Sequence, residues 1–138
     1  MPARAYVDTS VYLCVLLGQA GSSSLKRELA GARLLSSSLL AIEAYRTLVR
    51  LSREKLLSPA EFQDALDRLE SDLDAFQLRD LTLDLCRDRA MPVLSTPRTL
   101  DLAHLRTAVW FHEIEPLDRF ASLDRGQTIA ARELGLPV

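Results

Sequence analysis

The sequence predicts an α/β fold built on a mostly parallel sheet, and three observations carry that expectation. Short β-prone stretches alternate with longer helical ones along the chain, and strands separated by helices pair in parallel with helices covering both faces. One helix start, Ser58-Pro59-Ala60-Glu61, combines a capping serine, a proline at the first helical position and an acid that reaches back to the cap. The chain has 138 residues, 48% of them hydrophobic, which suits one domain over 1–138 with a substantial core.

Element by element, ARAYV (3–7) reads as a first strand, and Thr9 or Ser10 suits the cap of a helix through Leu17. GQAGSSS reads as a loop before a second helix over 25–30, followed by a brief strand over 33–36. Ser37 or Ser38 caps a long third helix that ends near Lys55, and the helix opened at Ser58 runs to about Ser71. A third strand is expected over 75–78 and a helix over 81–89, with Leu83, Leu85 and Cys86 turned partly inward. Past the turn-rich MPVLSTPRT come a helix over 100–112, a strand over 119–122 and a last helix closed by Gly135. The closing LGLPV leaves room for a fifth strand of a few residues at most. No internal repeat, linker or second domain is evident.

Bulk properties exclude several function classes. No apolar run is long enough to cross a bilayer, and MPARAYVDTS enters a strand without the regions of a cleaved signal, so a cytoplasmic protein is expected. Cys14 and Cys86 lie in apolar and amphipathic stretches that suit buried free thiols better than a disulfide or a metal pair. A net charge of -2 argues against nonspecific coating of nucleic acid but leaves room for a local basic groove.

The candidate chemistry lies in four acids. Asp8 in AYVDTS, Glu43 in LLAIEAYRTL, Asp101 in RTLDLAHLRTA and Asp124 in FASLDRGQTIAARELGL each fall at a strand-to-helix junction or in the first turns of a helix. In an open parallel sheet those positions converge on the crevice at the carboxyl ends of the strands. Clustered carboxylates repel one another unless a cation sits among them, and an all-oxygen set favours one or two Mg²⁺ or Mn²⁺ ions. Such ions activate water for attack on a phosphate. Each acid also has a plainer reading: Asp8 and Asp124 as helix caps, Asp101 as a first-turn acid favoured by the helix dipole, Glu43 as a solvent-facing helical acid.

Arg46, Arg50 and Arg53 share the helix face of Glu43, a stripe that suits a phosphate backbone and equally suits a solvated face. Arg98, Arg125 and Lys55 are further phosphate-contact candidates. His104, one turn after Asp101, reads as a hydrogen-bonded packing residue, with substrate contact or proton transfer as the alternative. His112 suits the helix C-terminal dipole, and Trp110 and Phe111 suit the core or a dimer interface.

With YVDTSVYL, LLAIEAYRTLVRL, RTLDLAHLRTA and FASLDRGQTIAARELGL in this order, the chain resembles the PIN-domain ribonucleases over essentially its whole length, and among them the VapC-like toxins of toxin-antitoxin pairs. The resemblance implies a PIN-like three-layer sandwich with a central, mostly parallel sheet of four to five short strands. It implies a metal-dependent endoribonuclease whose metal-binding, catalytic acids are Asp8, Glu43, Asp101 and Asp124, with Ser10 and Ser122 orienting carboxylates. The family more often carries threonine where Ser122 stands. A structured RNA with a single-stranded loop, such as a tRNA, is the expected substrate, because A-form duplex hides its base edges. A cognate antitoxin whose peptide fills the groove and a homodimer are the expected protein partners. Two other readings stay open: a non-catalytic RNA-binding or protein-interaction domain of the same fold, and an aspartyl phosphatase. The phosphatase is the weaker, since Ser10 stands where its second Asp belongs and no phosphate-cradling glycine loop follows.

Overall fold

In the computed structural model, which describes residues 1–89, 95 and 97–138, strands and helices alternate as the sequence suggests. The elements are β1 (Arg4–Val7), α1 (Thr9–Leu16), α2 (Ser22–Leu29), β2 (Arg33–Ser37), α3 (Leu39–Arg53) and α4 (Pro59–Ala75), followed by β3 (Gln77–Arg79), α5 (Leu83–Arg87), α6 (Thr99–Ile114), β4 (Arg119–Ala121) and α7 (Arg125–Glu133). The strands form one sheet in the order β3-β2-β1-β4, parallel throughout.

β1 is central and buried along its whole length, its apolar Ala5, Tyr6 and Val7 preceded by a buried Arg4 whose guanidinium donates to the Glu115 carbonyl. Because side chains alternate along a strand, β1 feeds two different cores. Tyr6, in register with Leu35 and Phe120, joins those residues under α6 and α7, where Leu105, Ala108, Phe111, Ala130 and Ala131 close the layer. Val7, beside Ala121, faces the other side and packs under Val11, Leu25, Leu40, Leu48 and Leu69 of α1 to α4. Helices thus cover both faces.

Local sequence explains most element ends. Ser58 accepts from the Glu61 amide at 3.1 Å and Glu61 accepts from the Ser58 amide at 2.9 Å, completing the capping box the sequence announced. Gly135, at φ +80°, ends α7 in the left-handed conformation and lets the Leu136 amide reach Ala131 O at 3.0 Å. Beyond it the Pro137 carbonyl accepts from the Phe120 amide at 2.6 Å. That contact stands where a short fifth strand was expected.

Several expectations are corrected. Of the cap candidates for α1, Asp8 takes the position, as the plainer reading of that acid had it, and Thr9 and Ser10 do not. α2 begins at Ser22 within the expected loop, because Gly21 at φ +88° turns the chain into the helix early enough to bury both Ser22 and Leu25. α4 runs on to Ala75 and β3 shifts to residues 77–79, since Leu69, Leu73 and Phe76 keep a helical spacing against the same core. α5 is a single turn of five residues, too short to present a whole face; Leu85 is buried while Leu83 and Cys86 are exposed. Both cysteines are free, and Cys14 is buried as expected. Of the turn-rich MPVLSTPRT, residues 91–94 and 96 lie outside the described residues. Among the described residues no helix is long and apolar enough to cross a membrane.

Candidate active site

The sheet order places β2 on one side of β1 and β4 on the other, so the chain leaves β1 at a topological switch point. Ligand crevices of open α/β sheets form there, outside the carboxyl ends of the strands. Asp8 follows β1 and Asp124 follows β4, while Glu43 stands on α3 behind β2 and Asp101 in the first turn of α6. All four line one cleft of about 330 Å³, together with Thr9, Ser10, Arg46, Arg98 and His104.

Asp8 is fixed most firmly. Its amide donates to Ala121 O at 3.1 Å, tying it to β4, and its Oδ1 accepts from Ser10 Oγ at 2.6 Å and from the Val11 amide at 3.3 Å. Burial pushes its pKa above the ordinary carboxylate value, and the hydroxyls of Ser10 and Ser122, the Val11 amide and the His104 ring pull it part of the way back. Ser10 also accepts from the Leu123 amide at 3.0 Å, and Ser122 accepts from the Asp124 amide at 3.1 Å, so both serines brace the acids as well as the loop between β4 and α7.

Asp124 caps α7 by accepting from the Gln127 amide at 2.9 Å, and Gln127 Nε2 donates to Asp101 O at 2.9 Å, which couples α7 to α6. Capping and facing the cleft are compatible: Asp8 and Asp124 do both. The Arg98 guanidinium lies 3.4 Å from Asp101 Oδ2 and 3.7 Å from Asp124 Oδ2, bridging two acids that would otherwise repel. With Arg98 mostly exposed, these pairs hold it weakly and an ion can replace it.

Glu43 is gripped from below. Its Oε1 accepts from Thr9 Oγ1 at 2.9 Å and lies 2.7 Å from His104 Nε2. His104 is buried and hydrogen-bonded, as its sequence context suggested, but its partner is a candidate catalytic acid. Neither this bond nor the Thr9 contact has a local sequence signature; the single hint was the placement of His104 one turn from Asp101.

Of the basic candidates, Arg46 and Arg98 line the cleft, whereas Arg50, Arg53, Lys55 and Arg125 are not among its lining residues. Arg50 instead pairs with Glu54 at 3.2 Å. Phe111 is buried in the core, and Trp110 packs beside it under the Arg79 guanidinium. His112 departs from its expected role: its Nδ1 accepts from the Leu117 amide at 3.0 Å, which requires a free lone pair and closes the turn into β4.

The donor set is all oxygen apart from His104, which suits a hard divalent cation. Among the described residues, no three His, Cys, Asp or Glu side chains already stand as a ligand set around one point. What fold and cleft define is a parallel-sheet α/β protein with an acidic crevice at its switch point. Among known proteins, no family model matches the chain and no curated protein matches it significantly.

Proposed function

We propose that this protein is a Mg²⁺- or Mn²⁺-dependent endoribonuclease of the PIN-domain kind, acting as the toxin of a toxin-antitoxin pair. The observation that supports this most is the arrival of Asp8, Glu43, Asp101 and Asp124 in one cleft from four separate parts of the chain. Four carboxylates with two guanidiniums beside them suit a cation and a phosphate together.

Asp8, Glu43, Asp101 and Asp124 hold one or two ions, directly or through water. When bound, the ion lowers the pKa of water and offsets the charge that develops on the transferring phosphate. The chain's own residues do the rest. Ser10 and Ser122 orient the carboxylate of Asp8, and Thr9 that of Glu43. Arg46 and Arg98, which line the same cleft, are the candidates to neutralise phosphate oxygens; a guanidinium presents paired donors for that purpose. RNA with an unpaired loop fits the open cleft better than duplex. An antitoxin peptide filling the same cleft would silence the enzyme, and a homodimer is its working form.

A second reading, a non-catalytic RNA-binding or protein-interaction domain, draws support from the absence of a preformed three-ligand set among the described residues. Incubation of the purified protein with a tRNA or total-RNA pool and Mg²⁺ or Mn²⁺ separates the two. Cleavage that disappears with chelator and in Asp8→Asn is the expected result. Cleavage that survives both, or no cleavage and no Mn²⁺ binding by wild type, overturns the proposal.

A further inference from the structure

Beneath Glu43 a chain of polar groups runs into the core, where each donor and acceptor must find a partner. Glu43 Oε1 lies 2.7 Å from His104 Nε2, and on the other side of that ring Nδ1 lies 2.7 Å from the Tyr6 hydroxyl. His104 is 2% exposed and Tyr6 0%. Thr9 Oγ1 sits 3.2 Å from Nε2 and donates to the same Glu43 oxygen. A carboxylate only accepts, so Nε2 must carry the proton toward Glu43, while Nδ1 pairs with the Tyr6 hydroxyl on the far side of the ring. Burial pushes the Tyr6 phenol pKa well up and keeps that hydroxyl a donor. Tyr6 itself is immobile, stacked on Phe120 with ring centroids 5.5 Å apart. Rigidity in the core is thereby passed to one oxygen of a cleft carboxylate.

We propose that His104, buttressed from behind by Tyr6, is a positioning residue that holds the Glu43 carboxylate in a fixed orientation within the cleft and so raises its affinity for the cation. The proposal rests on the reading of Glu43 as a metal ligand. Carboxylates that bind ions are commonly oriented by a hydrogen-bond donor behind them, and removal of such a donor weakens binding by about ten- to hundredfold. Position is what this arrangement supplies: Thr9 and His104 both hold the same oxygen, Oε1.

The test uses the full chain with His104→Leu, His104→Gln and Tyr6→Phe, each checked for folding by circular dichroism. In metal-free wild type, the ¹⁵N imidazole signals of His104 should show a protonated Nε2, and the side-chain ¹³C resonance of Glu43 should be single and sharp. His104→Leu should shift or broaden that resonance and weaken Mn²⁺ binding, measured by calorimetry, by about tenfold or more. The amide of His104→Gln can donate to Glu43 in place of Nε2–H and should restore most of both. Tyr6→Phe, which removes the oxygen behind the ring and keeps the aromatic packing, should loosen the imidazole and broaden the Glu43 resonance less than His104→Leu does. An unprotonated Nε2 in wild type, a Glu43 resonance indifferent to His104→Leu, or a glutamine variant no better than leucine would each overturn the proposal. Should wild type bind no Mn²⁺ while the Glu43 resonance still answers to His104, the metal reading fails and the positioning role stands.

Discussion

Asp8 carries two burdens that substitution can separate: it caps α1, and it is a charge held out of water. Asn at this position keeps an oxygen for Ser10 and for the Val11 amide and removes the charge, whereas Ala removes both. Loss of the cap costs about 1 kcal/mol and loss of the Ser10 hydrogen bond about another. For a chain of this length each kcal/mol moves Tm by about 3–5 °C, so Asp8→Ala should melt about 6–10 °C below Asp8→Asn. The sign for Asn against wild type follows from proton linkage. Burial raises the Asp8 pKa, so the folded state holds its proton to higher pH than the unfolded chain does. Stability is therefore unpenalised below the unfolded value of 3.8 and falls as pH rises from there through the folded pKa. Asn escapes that penalty. In chelator at about pH 7, Asp8→Asn should melt above wild type, with the gain shrinking toward about pH 4. Mn²⁺ should then raise the Tm of wild type more than that of the variant, while RNA cleavage belongs to wild type alone. A variant that melts at or below wild type in chelator at neutral pH, or a gain that grows on acidification, would refute the desolvation argument.

Arg46→Ala should weaken RNA binding and flatten its salt dependence by roughly one unit, because Arg46 lines the cleft; Arg50→Ala, already paired with Glu54, should do much less. Equal effects in filter-binding titrations across salt concentrations would return Arg46 to a solvated face. Lys55 closes α3 at φ +59°, a conformation that suits glycine, so Lys55→Gly should raise stability by up to about 1 kcal/mol in urea denaturation. A lower midpoint would show that the lysine side chain holds that turn.

The legible parts of this molecule are those written in local chemistry. The Ser58 capping box, the Gly135 stop and the strands near residues 4–7, 33–37 and 119–121 follow from neighbours a few residues apart, and so does the placement of acids at helix starts. Expectation failed where a distant surface decided. β3 was placed too early because the helical face of Leu69, Leu73 and Phe76 continues through a stretch that also reads as β-prone, and tertiary packing chose the helix. α2 was placed too late because a serine run reads as loop, whereas the burial of Ser22 favours a helix. The bond from His104 to Glu43 spans 61 residues and leaves no periodicity at either end. Cys86 is exposed because the single turn of α5 turns only Leu85 inward.

Val7 and Tyr6 are adjacent, yet one is anchored in the layer of α1 to α4 and the other in the layer of α6 and α7. The short strand that carries them is a shared keystone, and Asp8 is the next residue, itself pinned to β4 through its amide. Functional loops are commonly drawn from the least stable parts of a protein, where local opening is easy. Here the first acid can leave its place only if both hydrophobic layers let go at once. The floor of the cleft is thus tied to both hydrophobic layers, whereas at its rim Arg98 is exposed and held only by the carboxylates of Asp101 and Asp124.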